Sequence, residues 1–281
     1  MLEKGAYEDH EVDVSLISHP GNTKNSAMVR TTAYESFKVE YFGKEAHAAA
    51  NPWLGINALD ALITAYNALS VLRQQTMPGD IIQGYITDGG VAPNIIHAYA
   101  AGVFVARSNT QSRLKDLKEK VDACFVAGAS ATGAELKITP MGRYADHVPN
   151  RVLASSYTKY FNALSPSTKI PVNQDLDEIN SATKASTDQG DISYAMPSLS
   201  AGFLIPLGPE GRGPHNPEFA GAAGTREAFR SCLQVAKALS GTALDVLTKE
   251  GMLERVKSQW RRDMKSHQSL TERNVMSDVF N

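Results

Sequence analysis

The sequence predicts an α/β fold in which one domain is interrupted by a second. Three observations predict it. An apolar strand, VDVSLIS, stands at 12–18, and another lies far downstream at 199–206. Between them, over about 30–142, the pattern reads strand, helix, strand, strand, helix, strand. That is the ferredoxin-like βαββαβ order, two helices on one face of a four-stranded antiparallel sheet. A strand on either side of such a unit implies a single α/β domain into which it is inserted.

The elements follow in order. Residues 1–5 read as the end of a helix, with Lys4 and then Gly5 as its stop. So short a helix does not start a domain, which implies a segment before it or a frayed end. After the 12–18 strand come His19, Pro20 and Gly21. In TTAYESFKVEYF, at 31–42, Phe37, Val39 and Tyr41 alternate with Lys38 and Glu40, the pattern of a half-buried strand. A loop of small residues, Gly43 to Pro52, carries His47. Apolar residues at 58, 59, 62, 65, 66, 69 and 72 give helical periodicity over 54–74. Strands are expected at 81–87, 95–107 and 134–141, with a helix at 111–128. Beyond Gly142 a helix at 150–164 precedes a polar, proline-interrupted loop at 165–185. STDQGDISYAMP leads into a short element before the 199–206 strand. A long helix is expected over 221–248, with Phe229, Cys232, Leu233, Ala236, Leu239, Ala243, Leu244 and Leu247 inward. The domain limits read 1–29, 30–142 and 143–250, followed by a charged helical tail at 251–281.

Composition narrows the function. A 281-residue chain, 42% hydrophobic and 21% charged, is ordinary for a globular protein. A formal charge of −2 gives no electrostatic reason to expect nucleic acid or an anionic membrane as partner. No apolar run is long enough to span a bilayer, and the opening MLEKGAYEDHEVDVSL lacks the apolar core of a secretory signal. The only cysteines, Cys124 and Cys232, are far apart and read as two buried thiols in a reducing compartment, so a cytoplasmic location is expected.

Several residues have side chains suited to chemistry. His19, at a strand end, is either a metal ligand or an imidazole bonded to a turn. His215, in GPHNPEF, is either a second ligand stiffened by flanking prolines or an exposed loop histidine. His47, among alanines in GKEAHAAANP, either polarises a carbonyl or is a plain loop residue. Asn94, in GGVAPNII, either donates to a substrate oxygen or shapes a turn. Arg107 either clamps a carboxylate or is a solvated strand end. Asp188 and Asp191 are ligands or loop caps, capping being the commoner use.

Five segments in order carry a resemblance: His19-Pro20-Gly21 after a strand, GKEAHAAANPWLGINALDA, DGGVAPNII, STDQGDISYAMP, and PHNPEF before a long helix. Together they resemble the metallopeptidase family of aminoacylase, carnosinase, auxin-conjugate amidohydrolases and aminobenzoyl-glutamate hydrolase, nearest its dipeptidase-like branch. The resemblance implies a catalytic α/β domain interrupted by a ferredoxin-like lid through which two chains form a homodimer. It implies a divalent metal, zinc or else manganese or cobalt, held in part by His19 and His215. It implies that His47 reaches the partner's active site near the scissile carbonyl, and that Asn94 and, less directly, Arg107 hold substrate, a dipeptide or N-acyl amino acid. The family's first metal ligands and its general-base glutamate fall upstream of Met1, and Glu3 and Glu8 do not stand in the paired arrangement of that base. The ligand set is then incomplete, and hydrolysis by this chain alone should be impaired. The alternative is an inactive dimerisation partner derived from such an enzyme.

Overall fold

The computed structural model describes residues 2–7 and 10–277. Glu8 and residues 278–281 of the expected tail lie outside the described residues. In chain order the strands are β1 (Ser15–Gly21), β2 (Ala33–Phe42), β3 (Ala46–His47), β4 (Ile81–Asp88), β5 (Ile95–Ile96), β6 (Tyr99–Ser108), β7 (Glu135–Tyr144) and β8 (Ser198–Leu204). The helices are α1 (Ala58–Leu72), α2 (Gln111–Thr132), α3 (Arg151–Ala163), α4 (Gln174–Ser181), α5 (Gln189–Ala195), α6 (Pro217–Ala223), α7 (Arg226–Thr248) and α8 (Met252–Ser277). The chain forms two units, one spanning Thr32–Asp146 and the other made of the residues up to Thr31 and from His147 onward.

The Thr32–Asp146 unit is the ferredoxin-like one. Its sheet has the order β4-β6-β2-β7 with every pair antiparallel. Alternation on β2 sends Phe37, Val39 and Tyr41 under α1 and α2, where they are fully buried with Leu62, Leu114 and Val121. Phe37, Phe104 and Phe125 meet with centroids 4.8 to 6.3 Å apart, in stacked and edge-on contacts. Asn57 caps α1 by accepting from the Leu59 and Asp60 amides, and Thr110 caps α2. Gly133, at φ +78°, stops α2 in the left-handed conformation that glycine adopts at least cost. Tyr66, one of the apolar positions in the 54–74 periodicity, is exposed on α1.

The other unit is built on β1 and β8, paired in parallel from Ser15↔Ser198 to Gly21↔Leu204. Its core joins Leu199, Ala201 and Phe203 of β8 to Leu153, Tyr157 and Phe161 of α3, Val235 and Ala238 of α7, and Val256 of α8. Asn150 caps α3 through the Val152 and Leu153 amides and donates to the Val256 carbonyl, tying α8 to that cap.

Several expectations are corrected here. Strand β1 runs three residues later than expected, so His19 and Pro20 lie within it. Proline is tolerated there because β1 has no second strand neighbour among the described residues. The loop at 165–185 contains α4, capped by Asn173. The long C-terminal helix is two, because Gly224 ends α6 and Thr225 caps α7 by accepting from the Ala228 amide. Its inward face is also different. Ala228, Val235, Ala238, Gly241, Thr242 and Asp245 are buried, whereas Phe229, Cys232, Leu233, Leu244 and Leu247 are exposed. Small residues let α7 approach α3 closely: a Cβ on Gly241 would sit 2.8 Å from the Tyr160 ring. Cys232 is therefore not a buried thiol, and Cys124 is only partly buried. Residues 2–5 form a 3-10 turn, Leu2–Lys4, that stops at Gly5 with φ +70°. No helix of the described residues is long and apolar enough to cross a membrane.

Candidate functional site

Two groups of the singled-out residues are held by distinct pieces of backbone. The first is a corner of the ferredoxin-like unit. Strands β3 and β5 pair through Ala46↔Ile96 and His47↔Ile95. The Ala48 amide donates to the Asn94 carbonyl at 3.0 Å, which sets the Asn94 loop against the His47 loop. Both residues are exposed. The His47 Nδ1 accepts from the amides of Ala49 and Ala50 at 3.2 and 3.1 Å. An amide can only donate, so Nδ1 is unprotonated and the neutral ring carries its proton on Nε2. The corner thus presents an imidazole N–H donor beside an asparagine.

Arg107 is not part of that corner. Its guanidinium lies 4.6 Å from the Tyr34 ring centroid, and its strand partners are Tyr34 and Ile81. Tyr99, at the other end of β6, follows closely on β5, so about 27 Å of strand separates the two ends at ~3.4 Å per residue.

The second group lies at the carboxyl ends of the parallel pair, where α/β sheets bind ligands. His19, near the end of β1, stands opposite Gly202 of β8. Its Nδ1 donates to the Pro20 carbonyl at 2.7 Å, which leaves the Nε2 lone pair available. His215 lies in the loop after β8 with φ +64°, a strained value for a non-glycine residue, fixed by Asn216 as the cap of α6 and Pro217 behind it. The two loops are joined: Asn22 Nδ2 donates to the Gly211 carbonyl at 3.3 Å. Both imidazoles are exposed.

Whether these residues fit a metal is a question of number. A zinc centre takes three or four protein ligands. Among the described residues no group of three His, Cys, Asp or Glu side chains is placed to hold an ion. Glu218 follows His215 by three residues, and its Oε2 is buried without a hydrogen-bond partner. Its Oε1, however, accepts from the Glu210 amide at 2.6 Å, so this carboxylate braces the 208–210 turn. Asp188 and Asp191 sit at the cap and first turn of α5. The residues present do not by themselves fit a complete metal centre.

Two histidines that sequence reasoning passed over do structural work beside these groups. His97 packs its ring on Gly90 (φ +97°), where an added Cβ would fall 2.4 Å from Cε1, and so shapes the loop that leads to Asn94. His147 is fully buried. Its amide donates to Thr31 Oγ1, its Nδ1 donates to the Val29 carbonyl at 2.8 Å, and its Nε2 accepts from the Ser198 hydroxyl at 3.0 Å. Burial pushes this imidazole down to about 4. The available signal was a polar residue beside a capping sequence, VPNR, in a stretch without periodicity.

Comparison with known proteins adds to this geometry. The family model described as peptidase dimerisation domain matches residues 33–131. The Xaa-Arg dipeptidase of Mus musculus is 36% identical over 271 residues, which are 96% of this chain and 60% of that protein. A p-aminobenzoyl-glutamate hydrolase chain of Escherichia coli (strain K12) is 26% identical over 157 residues, 56% of this chain and 32% of that one. The crystal structure of the aminobenzoyl-glutamate utilization protein from Klebsiella pneumoniae superposes with a TM-score of 0.62 at 17% identity, covering 89% of this chain and 58% of that one. The chain thus spans about 60% of the length of the curated dipeptidase it matches.

Proposed function

Since the chain belongs to the metallopeptidase family of Xaa-Arg dipeptidase and aminobenzoyl-glutamate hydrolase, we propose that it takes part in hydrolysis of the amide bond of a dipeptide or N-acyl amino acid. The names of its relatives favour that substrate class. The observation that carries the reading is the His47 corner. With Nδ1 held by two amides, Nε2–H is fixed as a donor and needs no reorganisation to meet a developing oxyanion. Asn94, on the adjoining loop, orients the substrate; Arg107, at the far end of β6 from that corner, is too distant to hold the same dipeptide within one chain. The dimerisation domain supports a homodimer in which His47 of one chain serves the other. A divalent metal, zinc or else manganese or cobalt, would supply the activated water, with His19 and His215 as two of its ligands. Because two imidazoles fall short of a centre, turnover by this chain alone should be low.

A second reading rests on that shortfall beside a recognisable dimerisation domain: a partner that pairs with a family member and contributes His47 without a metal centre of its own. Metal analysis and turnover of the purified chain decide between them. Zinc, manganese or cobalt is added, with dipeptides ending in arginine and N-acyl amino acids as substrates. The hydrolase reading expects metal-dependent turnover that falls about 10²–10³-fold in His47→Ala, the usual cost of losing an oxyanion donor. It also expects loss of bound metal in His19→Ala and His215→Ala. Turnover indifferent to all three changes would overturn it. A folded dimer with neither metal nor turnover supports the partner reading.

A further inference from the structure

The turn that follows the His47 loop carries an uncovered indole. Residues Pro52–Leu54 form one 3-10 turn, with Pro52 in its first position and the Gly55 amide donating back to the Pro52 carbonyl. Three contacts fasten this turn to the β3–β5 ribbon. The Asn51 amide donates to the His47 carbonyl at 3.1 Å. Lys44 and Ile56 exchange both backbone hydrogen bonds at 2.9 Å. Gly55 approaches so closely that a Cβ there would fall 2.8 Å from Ile96 Cγ2 and 2.9 Å from Ala46 Cβ. The backbone that sets His47 thus also sets Trp53. Yet Trp53 is 76% exposed, Leu54 next to it is exposed, and Val91, on the loop that carries Asn94, is 87% exposed. Tryptophan is among the residues most buried on average. The other one, Trp260, is half-buried and donates its Nε1–H to the Ser193 carbonyl. An aromatic ring left uncovered on rigid backbone is the kind of group on which contact surfaces concentrate their energy, because little entropy is lost when it is used.

We propose that Trp53 is a specificity-determining residue of the His47 corner and takes a bulky apolar acyl group, the part of the substrate bonded to the scissile carbonyl carbon. Leu54 and Val91 add apolar surface on the two loops of that corner. The inference rests on the hydrolase reading, in which the His47 Nε2–H meets the carbonyl oxygen. The acyl group then begins one bond from the carbon whose oxygen is held. The two halves of the substrate differ in what they offer an indole. The amine half of a dipeptide or N-acyl amino acid ends in a carboxylate, whose desolvation an indole and two aliphatic side chains do not offset. The acyl half of an N-acyl amino acid carries no charge, and each methylene it buries against the ring is favourable. The substrate class this selects is an amino acid bearing a long or bulky apolar acyl group.

The test compares N-acetylglycine with N-hexanoylglycine, which differ only in acyl length, on the whole chain and on Trp53→Ala. Trp53 is exposed, so the change should leave circular dichroism unaltered. In metal-free protein, where no turnover intervenes, the fluorescence that the parent has and Trp53→Ala lacks belongs to Trp53. That emission should move to shorter wavelength as N-hexanoylglycine saturates. Calorimetry should show N-hexanoylglycine binding about 10-fold tighter than N-acetylglycine, the low end of what one methylene gains in a closed apolar pocket. Trp53→Ala should abolish that preference and Trp53→Phe should keep most of it. With metal added, kcat/KM should fall in Trp53→Ala for N-hexanoylglycine and not for N-acetylglycine. No saturable binding, equal affinities in the parent, or a preference that survives Trp53→Ala overturns the proposal. So does a larger response to lysylglycine, which would make the indole a platform for a cation. Trp53 emission already shifted in the free chain and reverting on dilution also overturns it, since a second copy would then be the occupant. Discrimination between the acyl chains without metal-dependent turnover upholds the subsite and counts against the hydrolase reading, and turnover without discrimination does the reverse.

Discussion

His147 satisfies both ring nitrogens and its amide within a few ångströms, and the three acceptors and donors come from the segment before Thr32 and from β8. Only the neutral ring can accept from Ser198 while donating to Val29. Its value near 4 against an ordinary 6.5 makes it a linkage site. The unfolded chain binds the proton more readily between those values, so stability is full above about 6.5 and declines as pH falls toward 4. The full difference amounts to about 3 kcal/mol at ~1.4 kcal/mol per unit. His147→Gln should lower stability near neutral pH and flatten its dependence across that window. Urea unfolding at a series of pH values measures both, and an unchanged slope would show that the ring does not titrate on unfolding. At this scale the candidate site was only half legible. His19, His47, Asn94 and His215 stood out because each lies in a segment with a motif. The tautomer of His47 was not readable, since it depends on amides two and three residues away adopting one turn. His147 was hidden because its partners come from 116 and 51 residues away.

Elements were easiest to read where one face alone is apolar. Strand β2 alternates, and its inward set is the expected one. On α7 the periodicity marks two apolar faces, and the choice between them is made by size: small residues face α3 and large ones do not. The same economy appears between α1 and α2. A Cβ on Gly128 would lie 2.3 Å from the Ala61 carbonyl oxygen and 3.1 Å from the Ala65 Cβ. In an isolated helix Gly128→Ala would gain about 1 kcal/mol of propensity. Here it must push the helices apart or bend one, and the expected outcome is a net loss of about 1–3 kcal/mol, as for overpacking. Chemical denaturation of the variant checks the sign, and a variant as stable as the parent would mean the pair separates freely. Helix α4 escaped the sequence reading because only eight residues, interrupted by polar side chains, must be recognised against flanking loop.

At the scale of the whole molecule, the two hydrophobic cores share no residue among those described. The Thr32–Asp146 core closes on its own sheet and two helices, and its order of elements was plain in the sequence because each has its own period and its own turn. Expressed alone, residues 32–146 should fold, unfold cooperatively, and keep a near-ultraviolet signal from the packed Phe37, Phe104 and Phe125 cluster. A non-cooperative, dye-binding species would show that this core depends on the rest. The other unit was less legible because its two strands are separated by the insertion and its covering helices present ambiguous faces.

The insertion also has a consequence for how the surrounding unit folds. The inserted unit begins and ends on neighbouring strands, with Tyr34 opposite Tyr144 and their rings stacked at 5.8 Å. In the surrounding unit the points of exit and return are joined by the bond from His147 to Thr31. As a flexible loop, the insert would impose a closure entropy that grows by about 0.6 kcal/mol with each doubling of length. Once folded, it becomes a tether spanning one strand spacing, about 5 Å. Early folding of the insert therefore shortens the search by which β1 finds β8.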